Sequence, residues 1–509
     1  MSKIKKLASQ TAVYGLSSIV GRSLNYLLTP LYTSTFSTDQ YGIITEMYAY
    51  VAFLIVILTY GMETACFRFA TLPGMDKKKV FSTATVSLFV TTLLFLGMAT
   101  MFSEPIANWL QYPNHQEYII WFALIIGLDA MSAIPMAKLR ANDQALRFAM
   151  VNLVSVAVNI GLNLFFLVYC KMQYDPDTPH ALIDAVYNPE IGVGYVFISN
   201  LIASAVKFVM LLPEMLYGRF GFDIKLWKPM LKFAYPLIFV GIAGIINETL
   251  DRIMLKDILI TQQMDAGMNA QDANHYAMSQ LGIYGACYKL AILISMFVQA
   301  YRYAAEPFFF NQEKEKGSKK LYAKIMTYLV IVVSLFFLGI MLNLHLVKYF
   351  IPNPAYWEGL KVVPILLMAY VFYAIYVNSA FWYKLAQKTH YGTIISAVGA
   401  ALTIGINYAF IPTYGYMACA WATLIAYVTM SVISYFLGQK HYPIPYNLKK
   451  IGLYIGMVLL FYAISIKFDA NGSMSWLGYL YHWSLIATFV AVVFALERPQ
   501  KILTSNDTE

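Results

Sequence analysis

A few charged side chains inside long apolar segments are the residues of this sequence best suited to chemistry. Arg22, Asp129 and Lys289 lie near the middle of such segments, and none has an opposite charge three or four positions away. An ionisable group at membrane depth is costly unless water, another helix or a ligand satisfies it. These residues therefore predict a polar cavity, and the guanidinium fork of Arg22 matches phosphate or pyrophosphate.

Two pairs of opposite charge are spaced for contact within one helix. Glu248 precedes Arg252 by four residues, and Arg302 precedes Glu306 by four. Side chains at this spacing are neighbours on a helix surface. These four residues could therefore form two local ion pairs, or they could line a cavity that binds a ligand, and the sequence leaves both interpretations open.

Acidic residues in apolar segments also suit the binding of a small cation. The candidates for holding a proton or a sodium ion are Asp129, Glu248 and Asp251. Glu46 and Arg68 lie nearer the ends of their segments, so we expect their side chains to snorkel toward the membrane surface. Arg68 is also a candidate cation of the cavity.

Polar residues at helical spacing indicate a lumen beside the central cations. One face of the first apolar segment carries Thr11, Gly15, Ser18, Arg22, Asn25 and Thr29. One face of the eighth carries Gly285, Lys289, Ser295, Gln299, Arg302 and Glu306. We expect a third stripe to serve helix packing instead, because polar side chains also hold membrane helices together; it consists of Asn152, Ser155, Asn159 and Asn163.

The composition indicates that these segments lie in a membrane. Only 12% of the 509 residues are charged and 59% are apolar, whereas soluble proteins carry about 25% charged residues. The predicted fold class is an all-α polytopic membrane protein. Apolar runs predict fourteen spans, at 7–33, 41–67, 80–102, 118–137, 149–170, 191–217, 230–255, 279–310, 322–347, 362–381, 391–411, 415–437, 451–466 and 476–496.

Lysines and arginines distinguish the two faces of this predicted bundle. Both termini and the alternate connections hold 25 of the 36, whereas the opposite connections hold 5, namely Lys171, Lys256, Lys348, Lys361 and Lys467. Because these residues are retained on the cytoplasmic side, both termini are predicted to be cytoplasmic. The net charge of +9 then reflects topology, and no nucleic-acid partner is expected.

A weak internal repeat divides the chain. The sequence QYGI at 40–43 matches QLGI at 280–283, and IGLN at 160–163 matches IGIN at 404–407. Six spans per copy give both copies the same orientation, so we expect two pseudo-symmetric six-helix lobes around a midplane cavity, as in transporters. The expected domains are an N-lobe at 1–220, a C-lobe at 221–440, and two appended spans with a cytoplasmic tail at 441–509.

Motifs of common enzymes are missing from the sequence. GxxxxGK[ST], HExxH and GxSxG do not occur, and the four cysteines show no CxxC spacing. The Asp-Pro-Asp at 175–177 is a DxD such as membrane glycosyltransferases use to hold a metal, but no catalytic domain surrounds it. We therefore expect neither an enzyme nor a bound metal or cofactor.

Short fragments in a fixed order are similar to one family of membrane proteins. They are Pro30-Leu31-Tyr32-Thr33, Tyr41-Gly42, Arg68-Phe69, Asp251-Arg252-Ile253-Met254-Leu255, Gly282-Ile283-Tyr284 and Tyr383-Lys384-Leu385-Ala386. Over its whole length the chain resembles the polysaccharide-transporter branch of the multidrug/oligosaccharidyl-lipid/polysaccharide exporter superfamily. Members of that branch include the flippases of O-antigen (lipopolysaccharide) and capsule repeat units.

The resemblance implies a flippase of the bacterial inner membrane. Such a protein moves an undecaprenyl-pyrophosphate-linked oligosaccharide from the cytoplasmic to the periplasmic leaflet by alternating access. The implied partners are this lipid-linked oligosaccharide, membrane lipids and the polysaccharide polymerase or chain-length machinery. The expected cavity residues, which would attract the pyrophosphate, are Arg22, Asn25, Arg68, Lys289 and Arg302.

Two alternatives stay open. Gly21-Arg22-Ser23-Leu24 looks like the first-helix arginine motif of lipid II flippases, but those proteins tend to have a second arginine six residues later, where this chain has Leu28. The other alternative is a cation-coupled multidrug antiporter. Drug exporters of the superfamily usually have twelve spans, so the two appended spans favour a lipid-linked substrate.

Overall fold

Long helices make up the computed structural model, which describes residues 19–177, 181–216, 221–312, 315, 317–469 and 476–497. No β-strand occurs among these residues, and thirteen helices are long and apolar enough to cross a membrane. The all-α polytopic fold is therefore confirmed. We number the thirteen helices α1 (Thr38–Thr59), α2 (Lys77–Met101), α3 (Gln116–Ala141), α4 (Ala145–Leu164), α5 (Gly194–Leu216), α6 (Ile224–Asp265), α7 (Ala270–Gln312), α8 (Ser318–Met341), α9 (Val363–Ser379), α10 (His390–Tyr414), α11 (Tyr416–His441), α12 (Leu448–Asp469) and α13 (Trp476–Leu496).

Every predicted span after the first overlaps one of these helices. The first, at 7–33, is described only in part: residues 19–26 are helical and the short helix Leu28–Thr35 follows. Thr11, Gly15 and Ser18 of the predicted stripe lie outside the described residues, as does the tail 498–509.

The second predicted span, at 41–67, is divided into two helices. α1 ends at Thr59, and the helix Met62–Thr71 begins after a turn at Tyr60 and Gly61, whose φ angles are 35° and 71°. These left-handed values interrupt the helix, and glycine adopts them readily. The apolar pattern continues across the turn, which is why the sequence predicted a single span.

Polar caps begin the helices that carry the site. The backbone N–H of Ser37 donates to the side chain of Gln40, which forms a capping box at the start of α1. Asp223 accepts hydrogen bonds from the backbone N–H groups of Lys225 and Leu226 at the start of α6. These side chains satisfy backbone donors that have no partner within the helix.

The helices pack in two groups. Helices α1 to α5 pack against one another, α6 to α11 do the same, and the groups meet along α1, α6 and α7. The grouping agrees with the expected lobes. Their boundaries at 220 and 440 stay predictions, and residues 217–220 lie outside the described part of the chain.

The two groups approach most closely where α1 crosses α7. A Cβ atom on Gly282 would overlap the carbonyl oxygen of Thr38, and one on Gly42 would overlap that of Met278. The hydroxyl groups of Thr38 and Ser279 lie 2.7 Å apart at the same crossing. Gly42 and Gly282 are equivalent positions of the internal repeat, so the repeated motif forms the contact between the two groups of helices.

The appended helices α12 and α13 pack against α8. Near the end of α13, the carboxylate of Glu497 accepts hydrogen bonds from Lys450 Nζ and the Tyr454 hydroxyl, each at 2.7 Å. Burial acts to raise the pKa of Glu497, but these hydrogen bonds outweigh it and hold the pKa below its ordinary value. The pair α12–α13 is thus fastened at one end by a polar cluster.

Candidate functional site

The polar stripes of the first segment and of α7 meet across the two groups of helices. Arg22 donates a hydrogen bond from Nη1 to the side-chain oxygen of Gln299 on α7. The Arg22 side chain is exposed, and electrostatic attraction also joins it to Glu248 of α6. Arg22 therefore stands at the junction of the lobes, with one neutral partner and one acidic neighbour.

Lys289 supplies a second cation on α7. Within the described part of the chain, no carboxylate forms an ion pair with its ammonium and no acceptor forms a hydrogen bond with it. Repulsion from Arg252 acts on the same group. An uncompensated cation at this depth is unfavourable for the empty protein, and an anionic ligand would relieve that cost.

Arg252 lies at the centre of a buried cluster of tyrosines and acids. Its Nη1 donates to the backbone carbonyl of Glu248 at 2.7 Å and lies 3.8 Å from Asp251 Oδ1. Its guanidinium is 4.3 Å from the ring centroid of Tyr288, and the Tyr284 hydroxyl donates to Asp251 Oδ2 at 2.5 Å. The ion pair within 4 Å is therefore formed with Asp251, while the Glu248 carboxylate, four residues earlier as the spacing suggested, is attracted to Arg252 without such a contact.

Glu248 lines a cavity of about 260 Å³ in the C-lobe. Arg302 lines the same cavity, and no hydrogen bond or ion pair joins its guanidinium to another described residue. The suggested local pair with Glu306 does not form, because Glu306 instead accepts a hydrogen bond from Lys384 Nζ at 2.7 Å. Arg302 is thus available to a ligand.

The third polar stripe forms a chain of amides that includes Asn25. Asn159 donates to Asn25 Oδ1 at 3.1 Å, and Asn163 donates to both the side chain and the backbone of Asn159. The Tyr32 hydroxyl donates to Asn163 Oδ1 at 3.0 Å. These groups satisfy one another, as helix packing requires, while the exposed Asn25 connects them to the segment of Arg22.

Two predicted site residues do not join the residues around Arg22. Arg68 is exposed and lies 4.2 Å from the ring centroid of Phe233, so its place in the cavity is corrected to a surface stacking contact at the end of the helix Met62–Thr71. Asp129 forms an ion pair with Lys207 of α5 at 3.2 Å. The partner that Asp129 lacks on its own helix is therefore provided by the neighbouring one.

A buried ion pair joins the lobes near the crossing of α1 and α7. Lys256 Nζ lies 2.9 Å and 3.0 Å from the carboxylate oxygens of Glu46 and donates to the carbonyl of Leu110 at 2.7 Å. The Tyr112 hydroxyl donates to the same carboxylate. Glu46 is 0% exposed and Lys256 2%. The expectation that Glu46 snorkels is wrong.

Sequence reasoning missed this pair for an identifiable reason. The predicted span ends at 255, which places Lys256 in a connection on the face opposite the termini. In the structure α6 continues to Asp265. The ammonium of Lys256 is therefore inside the bundle. The available signal was the spacing of Arg252 and Lys256, four residues apart on one helix face.

The predicted DxD is part of a local turn. Asp175 Oδ1 accepts a hydrogen bond from the backbone N–H of Asp177 at 3.0 Å, a pattern typical of an Asx turn. Among the described residues, no group of three or more His, Cys, Asp and Glu side chains is arranged to hold a metal ion.

Comparisons with known proteins agree with this architecture. Lipid II flippase MurJ, in an inward closed conformation, has a TM-score of 0.70 at 14% identity, covering 95% of this chain and 98% of that chain. An inward-facing multidrug resistance MATE family transporter of the MOP superfamily has a TM-score of 0.61 at 12% identity, covering 87% and 99%. The MATE multidrug transporter DinF-BH has a TM-score of 0.60 at 14% identity, covering 87% and 97%.

A family match covers the N-lobe and the first helices of the C-lobe. The family described as polysaccharide biosynthesis protein matches residues 7–312, which is more than half of the chain. No curated protein matches the chain. The chain therefore belongs to the polysaccharide biosynthesis protein family and has the multi-pass fold shared by MurJ and the MATE transporters.

Proposed function

We propose that this protein is a flippase that moves an undecaprenyl-pyrophosphate-linked oligosaccharide across the bacterial inner membrane, with both termini in the cytoplasm. The observation that carries the proposal is the junction of Arg22 with Gln299 on α7, together with the unpaired Lys289 ten residues earlier on the same helix. Arginine binds the oxygens of a pyrophosphate through two parallel hydrogen bonds, and lysine adds a point charge. The substrate headgroup would supply the counter-ion that Lys289 lacks among the described residues.

The contact between α1 and α7 supports an alternating-access cycle. In this cycle the lobes are closed at the crossing of Gly42 and Gly282. The region that contains Arg22 and Lys289, here called the cationic region, opens to the opposite, predicted cytoplasmic side. Release to the other leaflet then requires these two glycines and the Glu46–Lys256 pair to separate. Each of these contacts joins one lobe to the other, so separating the lobes breaks all of them together.

Coupling to a proton or sodium gradient is proposed at Glu248. Of the three candidate acids, Asp129 is paired with Lys207 and Asp251 with Arg252, whereas Glu248 lines a cavity and, although attracted to Arg252 and Arg22, forms no ion pair within 4 Å among the described residues. A carboxylate that faces a cavity can bind and release a cation without breaking an ion pair. Glu248→Gln is therefore expected to make transport independent of the gradient or to stop it.

The decisive experiment is rescue of lipid-linked oligosaccharide export in a strain that lacks its own flippase. The wild-type protein is expected to restore surface polysaccharide. Arg22→Ala should lower export by about ten- to a hundredfold, because a charge-assisted hydrogen bond contributes about 1.5–3 kcal/mol, and Arg22→Lys should restore part of it. Arg68→Ala is the matched control, since Arg68 stacks on Phe233 outside this region.

Two results would contradict the proposal. Full export by both Arg22→Ala and Lys289→Ala would remove the role of the cationic region. A change in drug resistance on expression, without any change in surface polysaccharide, would favour the cation-coupled antiporter. The observation that favours this second candidate is the aromatic cavity around Glu248, since aromatic rings and a carboxylate also suit an organic cation.

A further inference from the structure

We infer that the C-lobe cavity binds one sugar ring of the lipid-linked substrate, the ring attached to the pyrophosphate. This inference rests on the proposed function, because it names the part of the same substrate that enters the cavity. The inference rests on six residues that line the cavity, a set that does not include Arg22 or Lys289. They are Glu248, Arg302, Tyr373, Tyr376, Tyr383 and Tyr427.

The size of the cavity limits its occupant. Its volume is about 260 Å³, just below the range of about 300–1,000 Å³ that is usual for pockets that enclose a drug-sized ligand. A complete repeat unit of several sugars exceeds this space, whereas a single pyranose ring is a smaller group. The remaining sugars would extend from the cavity into the space between the lobes.

The walls of the cavity are aromatic with polar edges. Tyr373 and Tyr427 pack with their ring centroids 5.0 Å apart, and the Tyr376 hydroxyl lies 3.5 Å from that of Ser396. A tyrosine ring offers an apolar face together with a polar hydroxyl. A pyranose has the matching pattern, since its C–H groups form apolar faces and its hydroxyl groups surround the rim.

The charged side chains of the cavity suit hydroxyl groups better than phosphate. The charged residues of the lining are Glu248, Arg302 and Lys384, and Lys384 is paired with Glu306 outside the lining. Arg302 provides donors only, and the Glu248 carboxylate provides acceptors only. A sugar hydroxyl can donate and accept, so neighbouring hydroxyl groups satisfy both side chains at once. A phosphate inside the cavity would lie against Glu248, which lines it, so we assign the pyrophosphate to Arg22, which lies outside the lining.

Electrostatic interactions place Arg22 beside the cavity. Glu248 interacts with Arg22, and Tyr373 interacts with Arg22 and Arg302 as well as with Glu248. A pyrophosphate on Arg22 would therefore have its attached sugar next to the cavity. This adjacency selects the first sugar of the chain over the more distant ones.

Gly244 allows the cavity to be filled without altering any charged or aromatic residue. It lines the cavity, and a Cβ atom there would have no other atom within 4 Å. Gly244→Trp therefore adds a ring inside the cavity, and tryptophan is at least as favourable in a helix as glycine. Gly405→Trp on α10 is the matched control, because a Cβ there also meets open space and Gly405 does not line the cavity.

The test is ligand binding to the full-length protein in lipid nanodiscs, measured by native mass spectrometry. The probes are undecaprenyl pyrophosphate and its derivatives that carry glucose, galactose, N-acetylglucosamine or N-acetylgalactosamine. The wild-type protein and Gly405→Trp are expected to bind at least one glycosylated probe about tenfold more tightly than the sugar-free probe. In Gly244→Trp that preference should disappear while the sugar-free affinity is kept.

The outcomes separate this inference from the proposed function. If Gly244→Trp keeps the preference, or loses affinity for all probes equally, the sugar site is overturned while the flippase proposal stands. If the wild-type protein binds none of the probes, or if Arg22→Ala binds all of them as tightly as wild type, the proposed function itself fails. Displacement of the glycosylated probe by tetraphenylphosphonium in wild type but not in Gly244→Trp would assign the cavity to an organic cation and overturn the sugar site.

Discussion

Helix α7 passes through two regions that differ in whether their charged side chains have partners. Near its beginning, at the crossing with α1, Gly282 packs against the backbone of Thr38, and the nearby Lys256 has two carboxylate oxygens and a carbonyl as partners. Further along the same helix, Lys289 has no such partner among the described residues, and neither has Arg302.

The difference indicates which region holds the lobes together and which one binds. A buried charge with complete hydrogen bonding stabilises one arrangement of helices and has no capacity left for a ligand. A charge without a partner weakens the empty protein and strengthens its complex with an ion of opposite charge. Lys256 and Lys289 therefore carry the same chemical group in two different roles, and their variants should differ in sign.

The largest effect is expected from breaking the Glu46–Lys256 pair. Lys256→Met leaves Glu46 buried without its counter-ion, and Glu46→Gln leaves Lys256 in the same position, so each should lower the free energy of unfolding by about 3–5 kcal/mol. Thermal unfolding in detergent can be followed with a thiol-reactive dye, since all four cysteines are buried.

The double variant Glu46→Leu with Lys256→Met is the control for this pair. It removes both charges together, and it should recover much of the stability that either single variant loses. Single variants as stable as the wild type would show that the pair does not hold the lobes together.

The second prediction concerns the glycine contact of the same region. Gly282→Ala places a methyl group against the Thr38 carbonyl, so α1 and α7 must move apart at a cost of about 1–3 kcal/mol to the closed arrangement. Labelling of Ser279→Cys, which lies at this contact, should then become faster. Gly339→Ala on α8 is the control, because a Cβ there meets no atom within 4 Å. Unchanged labelling in Gly282→Ala would contradict the close contact.

The third prediction is that Lys289→Met acts in the opposite direction to Lys256→Met. Removing an unpaired cation should raise the free energy of unfolding by about 1 kcal/mol, as is common when a functional site is replaced by an apolar residue. The same variant should bind undecaprenyl pyrophosphate about tenfold more weakly in nanodiscs. A loss of stability would show that Lys289 has a structural partner, and the contrast with Lys256 would fail.

The sequence predicted the helices well because their signal is local. Apolar runs of the right length mark each span, and the charges between them mark the sides. The exception at Tyr60 and Gly61 is also instructive, since a left-handed turn within an apolar run leaves hydropathy unchanged. Which helices pack together depends on residues distant in sequence. The sequence therefore showed that Gly42 and Gly282 occupy equivalent positions of the repeat, but it did not show that they contact each other.

The candidate site was predictable only in part for the same reason. Helical spacing identified Arg22 and Lys289 as charges without a local partner and left Arg302 either paired with Glu306 or facing a cavity. The described structure leaves Lys289 and Arg302 unpaired. The spacing could not show that Asp129 pairs with a lysine on α5 or that Arg68 lies on an aromatic ring, because those partners are distant in sequence. Contacts between helices decide which intramembrane charges are free.

The smallest effect is expected from the hydrogen bond between Thr38 and Ser279, whose hydroxyl oxygens lie 2.7 Å apart. Ser279→Ala removes one neutral hydrogen bond between the lobes and should lower the free energy of unfolding by about 0.5–1.5 kcal/mol. Thr38→Ala should have a similar effect, and the double variant should lose little more than either one, because both remove the same bond. Ser484→Ala is the control, since that exposed hydroxyl bonds only within α13. If the losses of the two single variants simply add, the hydroxyl groups act independently, and closure of the lobes at this crossing depends on the glycines alone.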